Sequence, residues 1–505
     1  MVSTQHHRAT EVGIQILESG GNAVDAAVAS AFALGVCEPA ASGLGGQTMM
    51  IIFDAASRKR TALDGSSRAP NRAVPRRLSP EDIRRGYKAA TVPSTPATLE
   101  YALRQYGTLP LKRILEPVID LAENGYHISM LQRKLTLRER RHLRAGSAGP
   151  LFLIDGRKTP PAGYRFKQPA LASTLRRLSR RGIGDFYTGR IARAIHSDMV
   201  RNEGLIRRDD LAQIPWPMVR KPVRGRFGPL SVHTMPPPGA GRTLIEMFNI
   251  LARIPATMRD IDTPVGAVAL ANVIRQAYLD RRDRPFDPNF YQQVDERHML
   301  DPDYAAKIAR RIRRRIRTAG ETTHLSVMDR HGNAVALTQS IERVYGACVA
   351  TPELGFLYNN YMSAFEHEDF THPYHLRPNA VPWASVAPAI IFRGRRPWLA
   401  IGSPGSERIA SSIVQVVLRL LDGDSLYEAI EAPRLHCSLS GKVSLEAERM
   451  DAQIRPALER FGFDIDEREA YAFYLGCVQA VMFDGRRFRG VADPRRDGAA
   501  GGPRR

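Results

Sequence analysis

Residues 23–36, AVDAAVASAFALGV, carry small apolar side chains on every side. A helix built from them has no polar face to show to water, so it must be covered all round. It is therefore buried, and a chain of 505 residues is long enough to build a sizeable core around it. Asn22 is a good N-cap for this helix, and Ser19-Gly20-Gly21 closes a preceding one that runs from Arg8 to Glu18. Gly43-Leu44-Gly45-Gly46 then reads as a flexible turn. TMMIIFD (48–54) reads as a buried strand, SRK (57–59) as a turn and RTALDG (60–65) as the hairpin partner.

Residues 80–215 read as mainly helical with Pro/Gly breaks, and 223–254 as two short strands, a Pro/Gly loop and a helix. The charged stretch near 285–320 reads as helix. From Thr322 to about Gly402 strand signals dominate, and a helix follows from Glu407 to Leu421. Asp497–Arg505 is rich in Gly, Ala and Arg and is expected to be disordered. Length alone suggests two to four lobes or one large fused body. Strands and helices in separate blocks, with no repeat, point to layered α+β packing.

The formal net charge is +21 and the pI about 10.2. The positive charge is mostly arginine spread along the chain, and aromatics are only 7%. No basic–aromatic platform or basic zipper appears, so no specific nucleic-acid partner is expected. The run Arg310–Arg317 reads as a solvated helix end or linker, or as a patch for an anionic partner. A noncatalytic anion-binding protein is therefore one class to keep. Cys37, Cys348, Cys437 and Cys477 are far apart, which argues against a zinc finger and a disulfide framework. No metal or cofactor is expected. Cys348 reads as a buried small hydrophobe. No apolar run approaches about 18 residues, so no membrane-spanning helix is expected. The N-terminal MVSTQHHRATEVGIQ lacks a basic and an apolar leader region. As given, the chain is expected in the cytoplasm; a start lying upstream would make it periplasmic or secreted.

Two segments carry chemistry. In TTHLSVMDRHGNAVALTQS (322–340) the turn residues 329–333 predict a β-hairpin. If the turn centres on His331, Thr322 faces Ser340 and two hydroxyls meet across neighbouring strands. Thr322 and Thr323 read equally as plain β-formers. Gly402-Ser403-Pro404-Gly405-Ser406 lies at a helix N-terminus, where free N–H groups can hold an anion or a developing oxyanion. It reads as well as an ordinary tight turn, and no Gly-Lys-Ser/Thr follows to make a phosphate loop.

In order along the chain, GGNAVDAAV (20–28), EPAASGLGG (38–46), ALDGSSRAP (62–70), TTHLSVMDRHGNAV (322–335), GSPGSERI (402–409), EAPR (431–434) and DPR (493–495) resemble the γ-glutamyltransferase family of N-terminal nucleophile hydrolases. The resemblance implies a four-layer αββα sandwich. It implies a precursor that cuts itself between Glu321 and Thr322 into a large subunit, 1–321, and a small subunit, 322–505. Thr322 becomes the nucleophile, and its freed α-amine, with an ordinary pKa near 8, becomes the base. Gly405 and Ser406 supply the oxyanion N–H groups, and Ser340 supports Thr322. The implied substrate is a small-molecule γ-glutamyl amide, such as glutathione.

The residues that would read the glutamyl group depart from the family. Ser66 stands where an arginine is expected. Arg68 is two positions on, a shift that keeps the strand face and moves it about 7 Å. Glu342 replaces an asparagine, Tyr361 a glutamine and Ala364 the aspartate that pairs with the substrate ammonium. That pairing is worth about 1.5–3 kcal/mol, and Glu342 is a candidate to replace its charge. Of two carboxylate-holding serines, Ser385 is kept and the other is Ala384. The alternative is the same nucleophile acting on a non-glutamyl amide, in the manner of cephalosporin acylase or oxamate amidohydrolase. HEDFTHPYH (367–375) fits no zinc spacing and reads as a lid loop near the pocket.

Overall fold

The computed structural model describes residues 1–282, 300–311 and 322–503. The helix Ala23–Cys37 is buried at every position except Gly35. Its start is a reciprocal cap. Asn22 Oδ1 accepts the Val24 and Asp25 N–H groups at 2.8 and 3.0 Å, and Asp25 Oδ2 accepts the Asn22 N–H at 2.8 Å. Asp25 also accepts the N–H groups of Thr108 and Leu109, which ties the helix to the chain leaving Thr95–Tyr106.

Two antiparallel sheets form the centre. One has seven strands in the order Ala499–Gly501, Val2–Thr4, Thr323–Met328, Ala334–Ser340, Gln47–Phe53, Arg60–Gly65, Met218–Arg220. The other has six: Phe488–Ala492, Gln479–Phe483, Arg396–Gly402, Ala389–Arg393, Leu230–Thr234, Val223–Phe227. Side chains on a strand alternate between faces. In Gln47–Phe53, Met50 and Ile52 join an apolar cluster with Val28 and Leu34 of the buried helix, while Met49, Ile51 and Phe53 join a cluster with Val232, Ile390 and Leu399 of the six-stranded sheet. Leu325 and Val327 belong to the first cluster and Met328 to the second. The second cluster continues into Leu244, Ile274 and Ile413, on the helices Gly241–Leu251, Pro264–Arg282 and Arg408–Asp422. The layers are therefore helix, sheet, sheet, helix, as the resemblance implied. The two clusters share strands, so the large fused body holds rather than separate lobes.

Three expectations are corrected or curtailed. Ala499–Gly501 is a strand on Val2–Thr4, with Val2 opposite Gly501, and not a disordered tail. Its small residues allow close packing: a Cβ on Gly501 would lie 2.8 Å from Ile14 Cδ1 on the helix His7–Glu18. The glycine run at 43–46 is not a flexible turn but a close-packed crossing. A Cβ on Gly45 would stand 2.0 Å from the Leu357 carbonyl oxygen and one on Gly46 2.4 Å from that of Ser340. Of the charged stretch at 285–320, Pro302–Arg311 is helical; most of the Arg310–Arg317 run, and Glu321, lie outside the described residues.

Candidate active site

The hairpin has the expected register, from Ala334 opposite Met328 to Gln339 opposite Thr323, one step short of Thr322 and Ser340. The turn fixes that register. Asp329 Oδ1 accepts the N–H groups of His331 and Asn333 at 2.9 and 3.0 Å, and Asp329 Oδ2 accepts the Ala23 N–H at 2.9 Å. One carboxylate thus anchors the hairpin to the N-terminus of the buried helix, a site that favours negative charge.

Thr322 is buried, and its carbonyl accepts from Arg496 Nη2 at 3.1 Å. Arg496 Nη1 also pairs with Glu38 Oε1 at 2.5 Å, and Glu38 Oε2 accepts the Thr323 hydroxyl at 2.5 Å. The Arg496 guanidinium lies 4.5 Å from the Phe473 ring centre. Sequence reasoning did not single out Glu38 or Arg496. Their only signal was position: Glu38 opens EPAASGLGG and Arg496 follows DPR. The structure also gives that DPR motif a physical reason. Asp493 pairs with Arg434 at 2.6 Å and Arg495 at 3.1 Å, and Arg495 pairs with Glu446 at 2.5 Å. These side chains are almost wholly buried, so each charge relies on the others, and the turn that carries Arg496 is held in place.

Ser340 Oγ accepts the Glu342 N–H at 2.8 Å. Glu342 has φ 75°, a left-handed conformation that turns the chain sharply at the end of the strand. Burial pushes its carboxyl up to about 7, against the pull of neighbouring Arg343. The Tyr361 hydroxyl interacts with Ser340 and Gln47, and burial raises its pKa above the ordinary tyrosine value. Ser340, Glu342 and Tyr361 therefore form one group beside Thr322. Gly46, without a Cβ, lets the chain pass against the Ser340 carbonyl.

The strand Arg396–Gly402 delivers the 402–406 loop. A Cβ on Gly402 would fall 2.3 Å from the His324 ring, so this loop meets the strand that begins just after Thr322. His324 is held between Thr338 Oγ1 (2.8 Å) and Ser326 Oγ (3.0 Å), and burial lowers its pKa to about 3. It is a neutral packing residue. Gly405 and Ser406 have φ 115° and 52°. Their carbonyls accept from Arg408 and Ile409 to start the helix Arg408–Asp422, while their own N–H groups have no acceptor among the described residues. Two adjacent N–H groups left open at a helix N-terminus can stabilise an oxyanion. Ser385 Oγ lies 3.2 Å from Ser406 Oγ, which places Ser385 at this loop.

Ser66 and Arg68 are placed differently from the sequence expectation. The strand ends at Gly65, because the Ser66 N–H and hydroxyl both fold back on Asp64 Oδ1, at 3.2 and 2.6 Å. Neither residue is then on a strand face. Arg68 bridges to Val92 and lines a cavity of about 180 Å³ with Asp210 and Trp216, and neither Thr322, Ser340, Gly405 nor Ser406 lines it. Ala364, Trp383 and Glu407 line a different cavity, of about 290 Å³. The 367–375 loop borders that cavity through His372 and Tyr374. Glu366 Oε1 organises the loop by accepting the N–H groups of His367 and Glu368. Among the described residues no group of three or more His, Cys, Asp or Glu is placed to hold a metal ion. Cys348 is buried, with its thiol pushed up to about 12. No helix among the described residues is long and apolar enough to cross a membrane.

A four-layer αββα sandwich with Thr322 just before a central strand, and the 402–406 loop packed on that strand through Gly402, has the architecture of an N-terminal nucleophile hydrolase. A sequence model of the γ-glutamyltranspeptidase family matches residues 9–502, and the chain belongs to that family. It is 30% identical to the glutathione hydrolase proenzyme of Bacillus subtilis strain 168, over 99% of this chain and 91% of that protein. It is 33% identical to the acylase ACY 1 proenzyme of Pseudomonas sp. strain SE83, over 86% of this chain and 82% of that one. Among solved structures, the cephalosporin acylase from Bacillus halodurans superimposes with a TM-score of 0.90 at 26% identity, covering 99% of this chain and 94% of that chain. The chain is thus a hydrolytic enzyme of the family.

Proposed function

We propose that the chain is a precursor that cuts itself between Glu321 and Thr322, leaving subunits 1–321 and 322–505 associated, and that Thr322 then cleaves small amides through an acyl-enzyme. A threonine hydroxyl is a poor nucleophile at neutral pH and needs a base beside it. Before the cut the Thr322 nitrogen is an amide and cannot accept a proton. Afterwards it is an amine and can. The amine takes the Oγ1 proton as Oγ1 attacks the acyl carbon, and the oxyanion settles on the Gly405 and Ser406 N–H groups. The amine's proton passes to the leaving nitrogen as the C–N bond breaks. Water then attacks the ester, its proton goes to the same amine, and the acid leaves with Thr322 restored. A substrate amine in place of water gives transfer. Ser340 steadies Thr322, and Glu342, Tyr361 and Ser385 border the acyl group.

The reading rests on one observation above the others: the hairpin register runs up to Gln339 opposite Thr323, which leaves Thr322 and Ser340 at the next step, and Gly402 of the loop with two open N–H groups packs on the His324 ring of the same hairpin. The acyl group taken as default is γ-glutamyl. Ala364 at the cavity wall and Ser66 bound to Asp64 favour a second reading, a non-glutamyl acyl group. A denaturing gel with N-terminal mass spectrometry tests the cut, and a panel of acyl p-nitroanilides that includes γ-glutamyl tests the substrate. Thr322→Ala is expected to stay as one chain without turnover. Normal activity in that variant refutes the proposal.

A further inference from the structure

A cavity of about 620 Å³ opens where the two central sheets end. Four hairpins line it. Two come from the seven-stranded sheet, Gln47–Phe53 with Arg60–Gly65 and Thr323–Met328 with Ala334–Ser340. Two come from the six-stranded sheet, Ala389–Arg393 with Arg396–Gly402 and Gln479–Phe483 with Phe488–Ala492. Met328 stands at the turn end of its strand, six residues from Thr322, which is about 20 Å of extended chain. Neither Thr322, Ser340, Gly405 nor Ser406 lines this cavity, so what it holds is not the acyl group. Its volume falls inside the range of ligand pockets, roughly 300–1,000 Å³.

The floor is apolar. Phe53 and Met328 are buried members of the cluster between the sheets. Phe483 and Phe488 pack against that cluster, half-buried, with ring centres 4.9 Å apart. The rim is cationic. Arg58, Arg330, Arg395 and Arg396 border the cavity and are exposed, and no Asp or Glu is among the described residues that line it. The acids of these turns are committed elsewhere. Asp54 accepts the Ala56 N–H and the Ser57 hydroxyl, Asp329 holds the N–H groups of Ala23, His331 and Asn333, and Asp484 pairs with Arg489. None of the four rim arginines forms an ion pair among the described residues. Four guanidinium groups around one recess repel each other, and a cleft of one sign of charge concentrates counter-ions. The guanidinium fork matches two phosphate oxygens at once, which an ammonium does not. The rings beneath give an apolar stem a place out of water.

We propose that this cavity is a second, noncatalytic binding site, and that it takes a soluble phosphate monoester on an apolar stem. The phosphate sits at the arginine rim and the stem lies on Phe483 and Phe488. The site stands apart from Thr322 and holds whether or not that residue is the nucleophile. Calorimetry of the full chain with octyl phosphate tests it, beside octanol and inorganic phosphate. Saturable binding of octyl phosphate is expected, with each of the two fragments at least about tenfold weaker, since one lacks the charge-assisted bonds and the other the buried stem. Arg395→Gln combined with Arg396→Gln is expected to weaken octyl phosphate about tenfold. Arg76→Gln combined with Arg77→Gln removes the same charge from two exposed arginines that do not line the cavity, and is expected to bind as wild type does. All four side chains are exposed, so both double variants are expected to melt with the wild type. Three results overturn the assignment: no saturable uptake of octyl phosphate, octanol binding as tightly as octyl phosphate, or equal losses in the two double variants. Sedimentation with vesicles of phosphatidic acid and phosphatidylcholine, in a protein that takes up no octyl phosphate, also overturns it, because the arginines then read a lipid surface and not a soluble ester.

Discussion

Arg496→Met tests whether the brace on Thr322 matters. Among the described residues Arg496 donates to the Glu38 carboxylate at 2.5 Å and to the Thr322 carbonyl at 3.1 Å. Methionine keeps much of the stem's volume and removes the charge. Glu38 is then left largely buried without its partner, a situation that costs about 3–5 kcal/mol. The Thr322 carbonyl separately loses a charge-assisted bond of about 1.5–3 kcal/mol. If that bond holds Thr322 in its cutting geometry, self-cleavage slows about 10- to 150-fold, at roughly 1.4 kcal/mol per factor of ten. The assay is a time course of precursor on denaturing gels, beside thermal melts of Glu38→Gln, Arg496→Met and the double variant. Neutralising both partners removes the orphaned charge, so the double variant is expected to melt above Arg496→Met. Strict additivity of the two single changes, or wild-type cleavage by Arg496→Met, would refute the argument.

Other outcomes follow from the same geometry. Ser340→Ala loses the acceptor for the Glu342 N–H (2.8 Å) and is expected to slow anilide turnover about tenfold, the worth of about 1 kcal/mol or a little more, measured as kcat. Gly46→Ala would set a Cβ 2.4 Å from the Ser340 carbonyl oxygen; uncut precursor with a native circular-dichroism spectrum is expected. Glu342 is raised from 4.5 to about 7, so its contribution to stability is full below pH 4.5 and is lost as pH rises through 7. Glu342→Gln is therefore expected to melt above wild type at pH 8, with the gain shrinking towards pH 5. Ending the chain at residue 497 removes the strand Ala499–Gly501 and is expected to lower the melting temperature by several degrees in a thermal scan.

The sequence is most legible where the signal is local. The turn residues Asp329–Asn333 set the hairpin register, which runs as expected from Ala334 opposite Met328 to Gln339 opposite Thr323. The nearly all-apolar helix Ala23–Cys37 had to be buried, and it is. Composition misled where small residues serve packing: Gly501 and Gly45 looked like loosening elements and instead allow close approach of Ile14 and of the Leu357 carbonyl. Ser66 could not be placed from the sequence, because its hydrogen bonds to Asp64 end the strand before it. Glu38 and Arg496 were out of reach for another reason. They are 458 positions apart, and nothing local to either announces the other.

The strand order of the seven-stranded sheet has a further consequence for the proposed cut. Val2–Thr4 lies between Ala499–Gly501 and Thr323–Met328, so a ribbon from before the scissile bond is clasped on both flanks by ribbons from after it. Hydrolysis at one peptide link would thus liberate a chain end without liberating a fragment. The halves would behave as an interlocked whole, inseparable by dilution and parted only by melting the sheet that both of them weave.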